Sequence, residues 1–297
     1  MSMIRLKLSS PSVVRRLLSE RGIRPRKRWG QNFLCDENVL EKIVKAAHLC
    51  PEDRVLEIGA GLGGLTQRLA PHAREVIAVE IDPLLLPILQ EQLAEYPSVR
   101  IIHGDVLQLD WKALLTAGEK TIAMGNLPYG ITSPLLEKLI LHRDLFRQAV
   151  LMVQLEVAEK LLAPAGTRET SSLGIFVQAY CDVEQIARVS QNVFFPRPGV
   201  DSALLRLAFL TRPRFQASEE SFLAVVHAGF GLRRKTLQRA LALSPQLQLT
   251  SDQTRQLLQD AKIKGTRRGE TLTIEEFDRL AQALEKARSS AQARQST

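Results

Sequence analysis

The chain has 297 residues, 45% hydrophobic and 24% charged, with a net charge of +8; this is an ordinary soluble composition, long enough for two domains and a generous core. No N-terminal apolar stretch of secretory type and no apolar run of bilayer-spanning length is present, so a cytosolic, membrane-free protein is expected. Three widely spaced cysteines (Cys35, Cys50, Cys181) argue against a disulfide framework, and five histidines without ligand spacing give no reason to expect a metal.

Ser10-Pro11 followed by Val13, Val14, Leu17 and Leu18 predicts a short capped helix with one apolar edge. A basic stretch leads to Gly30-Gln31-Asn32-Phe33-Leu34. Asp36 then caps a second helix with the stripe Val39, Leu40, Ile43, Val44, Ala47. From Arg54 onward short β-branched runs (55–58, 76–79, 99–102, 121–124, 150–153) alternate with helical segments, with Pro83 and Pro134 at first-turn positions. Such alternation predicts a parallel sheet covered on both faces. Residues 183–189 and 203–210 read as further strands, and 164–172 as a polar loop. Thr211-Arg212-Pro213 marks a boundary, giving domains 1–210 and 211–297. Beyond it only helices are expected, over 222–230, 237–243, 254–261 and 274–286. Thr273 caps the last, with Glu276 in the capping-box position, and the polar end from about Arg288 is expected to fray.

Gly59, Gly61 and Gly64 follow the first strand with Gly-x-Gly-x-x-Gly spacing, and Glu80 ends the second strand about 20 residues on. A glycine turn with an acid for two ribose hydroxyls suits a dinucleotide and S-adenosylmethionine (SAM) equally. Three features favour SAM. Glu57, just before the glycines, would repel a pyrophosphate but tolerate a cation. Asp105, at the third strand end, is placed to accept from an adenine amino group. The fourth strand ends in Asn126-Leu127-Pro128-Tyr129. In that box the Asn126 amide oxygen and the Leu127 carbonyl are acceptors for an exocyclic amine. Pro128 keeps Leu127 out of helical geometry, and Tyr129 offers a face for a base. Each piece alone has a plainer reading, as close packing, a helix cap or a strand-to-turn Asn-x-Pro. The pieces converge on the carboxyl ends of adjacent strands, where ligands bind in such sheets.

Charge divides along the chain. Residues 1–30 hold nine Lys/Arg against one acid, residues 31–210 sixteen against twenty-two, and residues 211–297 fifteen against nine. The clusters Arg24, Arg26, Lys27, Arg28 and Arg233, Arg234, Lys235 suggest a polyanion held from two flanks, and nucleic acid is the favoured partner over a merely solvated surface.

Taken together these boxes, with Gln154-Leu155-Glu156-Val157-Ala158, Phe194-Phe195-Pro196-Arg197-Pro198, Val200-Asp201-Ser202-Ala203 and Arg233-Arg234-Lys235-Thr236-Leu237, resemble the ribosomal RNA adenine N6-dimethyltransferase family, most of all its bacterial small-subunit branch. The resemblance runs through nearly the whole chain. It implies an α/β fold: a Rossmann-like sheet of the class I SAM-dependent methyltransferase type over residues 1–210, then a small all-α rRNA-binding domain. It implies a SAM site from Asn32, Leu34, Gly59, Gly61, Glu80, Asp105 and Asn126, with residues 31–34 closing over the cofactor. It implies that Phe194 and Tyr129 sandwich the target base, while Phe195 is expected in the core. The implied substrate is two adjacent adenosines near the 3′ end of small-subunit (16S) rRNA, dimethylated during ribosome assembly, by a chain expected to be a monomer. Thr170-Ser171-Ser172, Lys160, Leu232 and Arg239 depart from the usual family residues, outside the catalytic boxes. The competing readings are a large-subunit (23S) rRNA methyltransferase of the antibiotic-resistance type, a DNA adenine methyltransferase, a non-catalytic assembly or transcription factor, and a dinucleotide oxidoreductase.

Overall fold

The computed structural model describes residues 7–115, 119–232 and 234–295. The chain divides into two compact units, residues 1–158 with 182–209 and residues 159–181 with 210–297. The boundary expected near 210 is thus one of several crossings, and 159–181, expected with the sheet, groups with the C-terminal helices.

The first unit opens with α1 (Pro11–Glu20), which buries Val14, Leu17 and Leu18; Ser10 precedes it without a side-chain capping bond. The short strand β1 (Phe33–Leu34) follows. In α2 (Glu37–Ala46) the Asp36 carboxylate accepts from the Val39 N–H at 2.9 Å, satisfying one orphan donor of the first turn. Then come β2 (Arg54–Ile58), α3 (Thr66–Leu69), β3 (Glu75–Glu80), α4 (Leu86–Leu93), β4 (Val99–His103), α5 (Trp111–Leu114), β5 (Thr121–Asn126), α6 (Thr132–Leu141), β6 (Phe146–Gln154) and the start of α7 (Leu155–Leu162). Pro83 lies in the turn ahead of α4, and it is Pro87 that occupies that helix's first turn. After α8 (Ser172–Tyr180) the chain returns through β7 (Cys181–Val189), β8 (Phe194–Phe195) and β9 (Ser202–Phe209).

Seven strands form one sheet in the order β4-β3-β2-β5-β6-β9-β7. The β4-β3-β2-β5-β6 ladders are parallel, and β9 joins β6 antiparallel, so the sheet is mixed where a parallel one is expected. The central strands are closed to water on both faces; β5 is buried from Thr121 through Gly125. On one face Leu40 and Ile43 of α2 pack with Val55, Val76, Met124 and Met152. On the other, Leu89 and Leu93 of α4 pack with Ala78. A separate antiparallel pair joins β1 to β8, matching Phe33 with Phe195 and Leu34 with Phe194. Two-residue strands carry no periodicity, so this pair has no signal in the sequence.

Gly125 shows how tightly the strand ends converge. A Cβ there would lie 2.5 Å from the Ile58 carbonyl oxygen of the neighbouring strand. Gly125→Ala is therefore expected to cost about 1–3 kcal/mol, read as a lower denaturation midpoint at unchanged m-value. An unaltered midpoint would show that β2 and β5 separate freely.

In the second unit α9 (Glu219–Gly231), α10 (Leu237–Ala242), α11 (Ser251–Asp260) and α12 (Ile274–Gln295), with a 3-10 turn at Gly269–Thr271, carry the regular structure after residue 210 among the described residues. The Thr273 cap is present: its hydroxyl accepts from the Glu276 N–H at 3.2 Å, and Glu276 accepts from the Thr273 N–H at 3.0 Å. The backbone of α12 stays helical to Gln295, past the fraying expected from Arg288. The departure at Thr170-Ser171-Ser172 is a helix start, with Ser171 accepting from the Gly174 N–H to cap α8.

Candidate active site

The parallel strands bring four sequence boxes to one edge of the sheet. Gly59 and Gly61, at φ of +75° and +60°, turn the chain sharply out of β2. That turn lets the Glu80 carboxylate at the end of β3 accept from the Gly61 N–H at 2.7 Å, while its other oxygen accepts from the Asp82 N–H at 2.8 Å. Glu80 is buried, and desolvation pushes its carboxyl above the ordinary range, opposed by these backbone donors. Each oxygen retains a second lone pair for a ligand hydroxyl.

Asp105 follows β4. One oxygen accepts from the Leu107 N–H at 2.9 Å, and the other accepts no hydrogen bond from the described residues, while the Lys138 charge acts on the carboxylate. Asn126 closes β5. Its Nδ2 donates to the Asn32 carbonyl at 2.8 Å, which fixes the amide orientation because a carbonyl only accepts. Oδ1 of Asn126 and the carbonyl of Leu127 accept no hydrogen bond from the described residues, although the Leu127 N–H is tied to the Met152 carbonyl at 3.0 Å. Tyr129 is half-buried, its hydroxyl 3.1 Å from Ser202 Oγ.

Two adjoining cavities run along this edge. A small one of about 100 Å³ is lined by Leu34, Glu57, Gly61, Glu80 and Asn126. A larger one of about 710 Å³ is lined by Ile81, Asp105, Tyr129 and Pro196. Asn32, Gly59 and Pro128 line both. Glu57 is 1% exposed, and its Oε2 is buried without a hydrogen-bond partner. Burial chiefly, with the charge of Glu80, pushes its carboxyl up to about 8, against the opposing effect of Thr66. An unpartnered buried carboxyl oxygen on a cavity wall suits a cationic guest, and acceptors on Asp105, Asn126 and Leu127 suit two amino groups. The residues present therefore fit SAM together with an adenine.

One expectation is overturned. Phe194 is 4% exposed and packs in the core beside Met152 and Leu204, so it presents no face to a base. Its neighbour Phe195, expected in the core, packs against the cluster of Leu8, Val14 and Leu17 but is only partly buried, with the Arg15 guanidinium 5.1 Å from its centroid. Adjacent strand residues point to opposite faces, so the two rings enter different clusters, Phe194 beside Met152 and Phe195 against Val14 and Leu17. Periodicity within two residues cannot say which ring joins which.

The basic clusters also differ in their roles. Arg24 and Arg28 are exposed. Arg26 turns inward, 3.6 Å from the fully buried Asp82 carboxylate, and its N–H donates to Gln31 Oε1 at 2.7 Å. Gln31 in turn donates to Asp82 at 2.8 Å. Arg26 thus straps residues 26–31 to the turn after Glu80. Lys27 begins the 3-10 turn Lys27–Trp29. In the second unit Arg234 and Lys235 are exposed, and Arg233 lies outside the described residues. Trp29, which lines both cavities between the guanidiniums of Arg26 and Arg28 at 4.6 and 4.5 Å, had no role in the sequence reading; an aromatic inside a basic run was its one signal. Among the described residues no helix is long and apolar enough to cross a membrane, and no group of three His, Cys, Asp or Glu is arranged to hold a metal.

The chain is 46% identical over 289 residues to the ribosomal RNA small subunit methyltransferase A of Pelotomaculum thermopropionicum, covering 93% of this chain and 97% of that protein. It is 41% identical over 284 residues to the protein of the same name from Geobacillus sp., covering 94% and 98%. Among solved structures it resembles a dimethyladenosine transferase from Plasmodium falciparum, with TM-score 0.69, 28% identity and coverage of 84% and 96%. It also resembles the 23S rRNA methyltransferase ErmE, with TM-score 0.65, 29% identity and coverage of 86% and 100%. The model of the ribosomal RNA adenine dimethylase family matches residues 22–280, and the chain belongs to that family.

Proposed function

We propose that this chain transfers methyl groups from SAM to N6 of adenosines in small-subunit rRNA, the substrate being two adjacent adenosines near its 3′ end. The observation that carries the reading is the pair of acceptors left free at the end of β5, Asn126 Oδ1 and the Leu127 carbonyl. An exocyclic adenine amine is a weak nucleophile because its lone pair is delocalised into the ring. Two acceptors holding its N–H bonds draw the nitrogen toward tetrahedral geometry and free the lone pair. The acceptors are preorganised: Asn126 is oriented by Asn32, and Leu127 is anchored to β6 through its own N–H.

When bound, SAM supplies an electrophilic methyl group on a sulfonium. The residues that would hold it are Asn32, Leu34, Gly59, Gly61, Glu80, Asp105 and Asn126, with Glu57 facing the cation. Tyr129 supplies a stacking face for the base, worth ~1–3 kcal/mol, which offsets the cost of taking the base out of its stack. Arg24, Arg28, Arg234 and Lys235 are exposed cations available to phosphate. On this reading the protein works in the cytoplasm on an assembling small subunit.

The test is mass spectrometry of rRNA from cells lacking the protein. Two small-subunit adenosines are expected to lose both methyl groups and to regain them with the wild-type gene. Unchanged small-subunit adenosines, or a loss in large-subunit rRNA instead, would overturn the assignment.

A further inference from the structure

One cation beside the cleft has no part in the chemistry above. Lys138 lies on α6, the helix that follows the Asn126–Tyr129 box after a single 3-10 turn. Its Nζ donates to the carbonyls of Val106 at 3.1 Å, Leu107 at 2.8 Å and Leu109 at 2.6 Å. An ammonium has three donors, and here all three are spent on the main chain of one short turn. Nζ also stands 4.7 Å from the centroid of Trp111, a wholly buried ring whose Nε1 donates to the same Val106 carbonyl at 3.1 Å. The turn begins with Asp105, whose carbonyl accepts from Gln108 and Leu109 and whose Oδ1 accepts from Leu107.

We infer that Lys138 is a positioning residue: it ties the Asp105 turn to the helix carrying the amine-holding box, and so sets how the site recognises the adenine 6-amino group of the cofactor. The inference rests on reading the cleft as a SAM site. Asp105, on the wall of the larger cavity, has one oxygen without a hydrogen bond from the described residues, and its carboxylate also feels the Lys138 charge. Where that oxygen stands depends on the turn behind it. The turn's carbonyls converge on a single ammonium, so removing the ammonium strips the Leu107 and Leu109 carbonyls of their donor, leaves Val106 only its bond from Trp111, and releases the turn from α6. A loss confined to general packing would weaken every ligand of the cleft alike. A displaced Asp105 would instead erase a preference for one substituent on the purine.

The experiment measures calorimetric affinities of the full chain for S-adenosylhomocysteine and for its inosine counterpart, which carries a carbonyl in place of the 6-amino group. The wild type is expected to favour the adenosine compound by at least about tenfold, since the inosine carbonyl would face an acceptor. Lys138→Met should shrink that ratio to about two- to threefold, and raise KM for SAM far more than it lowers kcat. Lys138→Arg should keep most of the ratio. A ratio preserved in Lys138→Met, whether or not both affinities fall together, overturns the inference; Lys138→Gln is read in the same way if the Met variant does not fold. Asp105→Asn separates the two layers. If it leaves the ratio intact, the cofactor reading of Asp105 fails and takes the Lys138 role with it. If it erases the ratio while Lys138→Met retains it, only the Lys138 role falls.

Discussion

Asn126→Ala is expected to lower kcat for methyl transfer by about 10²–10³-fold, the scale seen when one preorganised polar group is removed from a reacting centre, while SAM affinity changes only a few-fold. The asymmetry follows from how the side chain is used. Its Nδ2 is occupied by the Asn32 carbonyl at 2.8 Å, a structural contact just past the strap. Its Oδ1 is the end left for the substrate. Alanine removes both, but only the acceptor is needed more at the transition state than in the ground state. Asn126→Asp isolates the parts: it keeps an acceptor in place but sets a carboxylate oxygen against the Asn32 carbonyl where alanine leaves only a gap, so this repulsion should make its loss fall mainly on cofactor binding and on the Asn32 segment. Initial rates with tritiated SAM on small-subunit particles, alongside calorimetric SAM affinity, measure both. Turnover of the alanine variant within about tenfold of wild type would remove Asn126 from the chemistry.

The sequence made the site legible because strand ends are fixed by topology. Once residues 55–58, 76–79, 99–102 and 121–124 are read as parallel strands, the residues after each must share one edge. Gly59, Glu80, Asp105 and Asn126 then meet without any long-range information. Two caps were equally legible, since Asp36 and Thr273 act on backbone within the next turn, whereas Ser10 makes no side-chain capping bond. The illegible parts depend on packing partners distant in sequence. The β1–β8 pair joins residues about 160 positions apart and is too short to show a pattern. That pair decides which cluster each of Phe194 and Phe195 joins.

Arg26 illustrates the same limit for charge. A basic run reads as solvent-facing, and for Arg24 and Arg28 it is. Arg26 instead meets the buried Asp82, which a hydropathy pattern shows only as one more acid. Burial of Asp82 is tolerable because it also accepts from Gln31 and from the Leu84 N–H. The segments 159–181 and 210–297 form one unit for a comparable reason: α8 is apolar nearly all round, and its ring Tyr180 packs edge-on against Phe215. Nothing local to either segment announces that pairing.

Glu57→Gln is expected to make the protein increasingly more stable than wild type as pH rises, by an amount on the order of 5 kcal/mol at its ceiling. The Glu57 carboxyl, pushed up to about 8 by burial from an ordinary 4.5, keeps its proton in the folded chain across a range where the unfolded chain has lost it. Below about 4.5 both states hold the proton, and the residue contributes no pH dependence. Between 4.5 and 8 the folded state binds the extra proton, so each step up in pH favours unfolding. Above 8 both states are ionised, and the cost levels off. Glutamine has the same shape and no such titration. Wild type and variant should therefore unfold at similar urea concentrations at pH 5 and diverge steadily toward pH 8.5, the variant being the more resistant. Parallel pH profiles would mean that Glu57 titrates normally and that the cavity wall is wet. The same ionisation links the residue to its proposed task. A cation entering the small cavity favours the carboxylate, so SAM should bind more tightly as pH approaches 8 and release protons below it, and Glu57→Gln should flatten that trend.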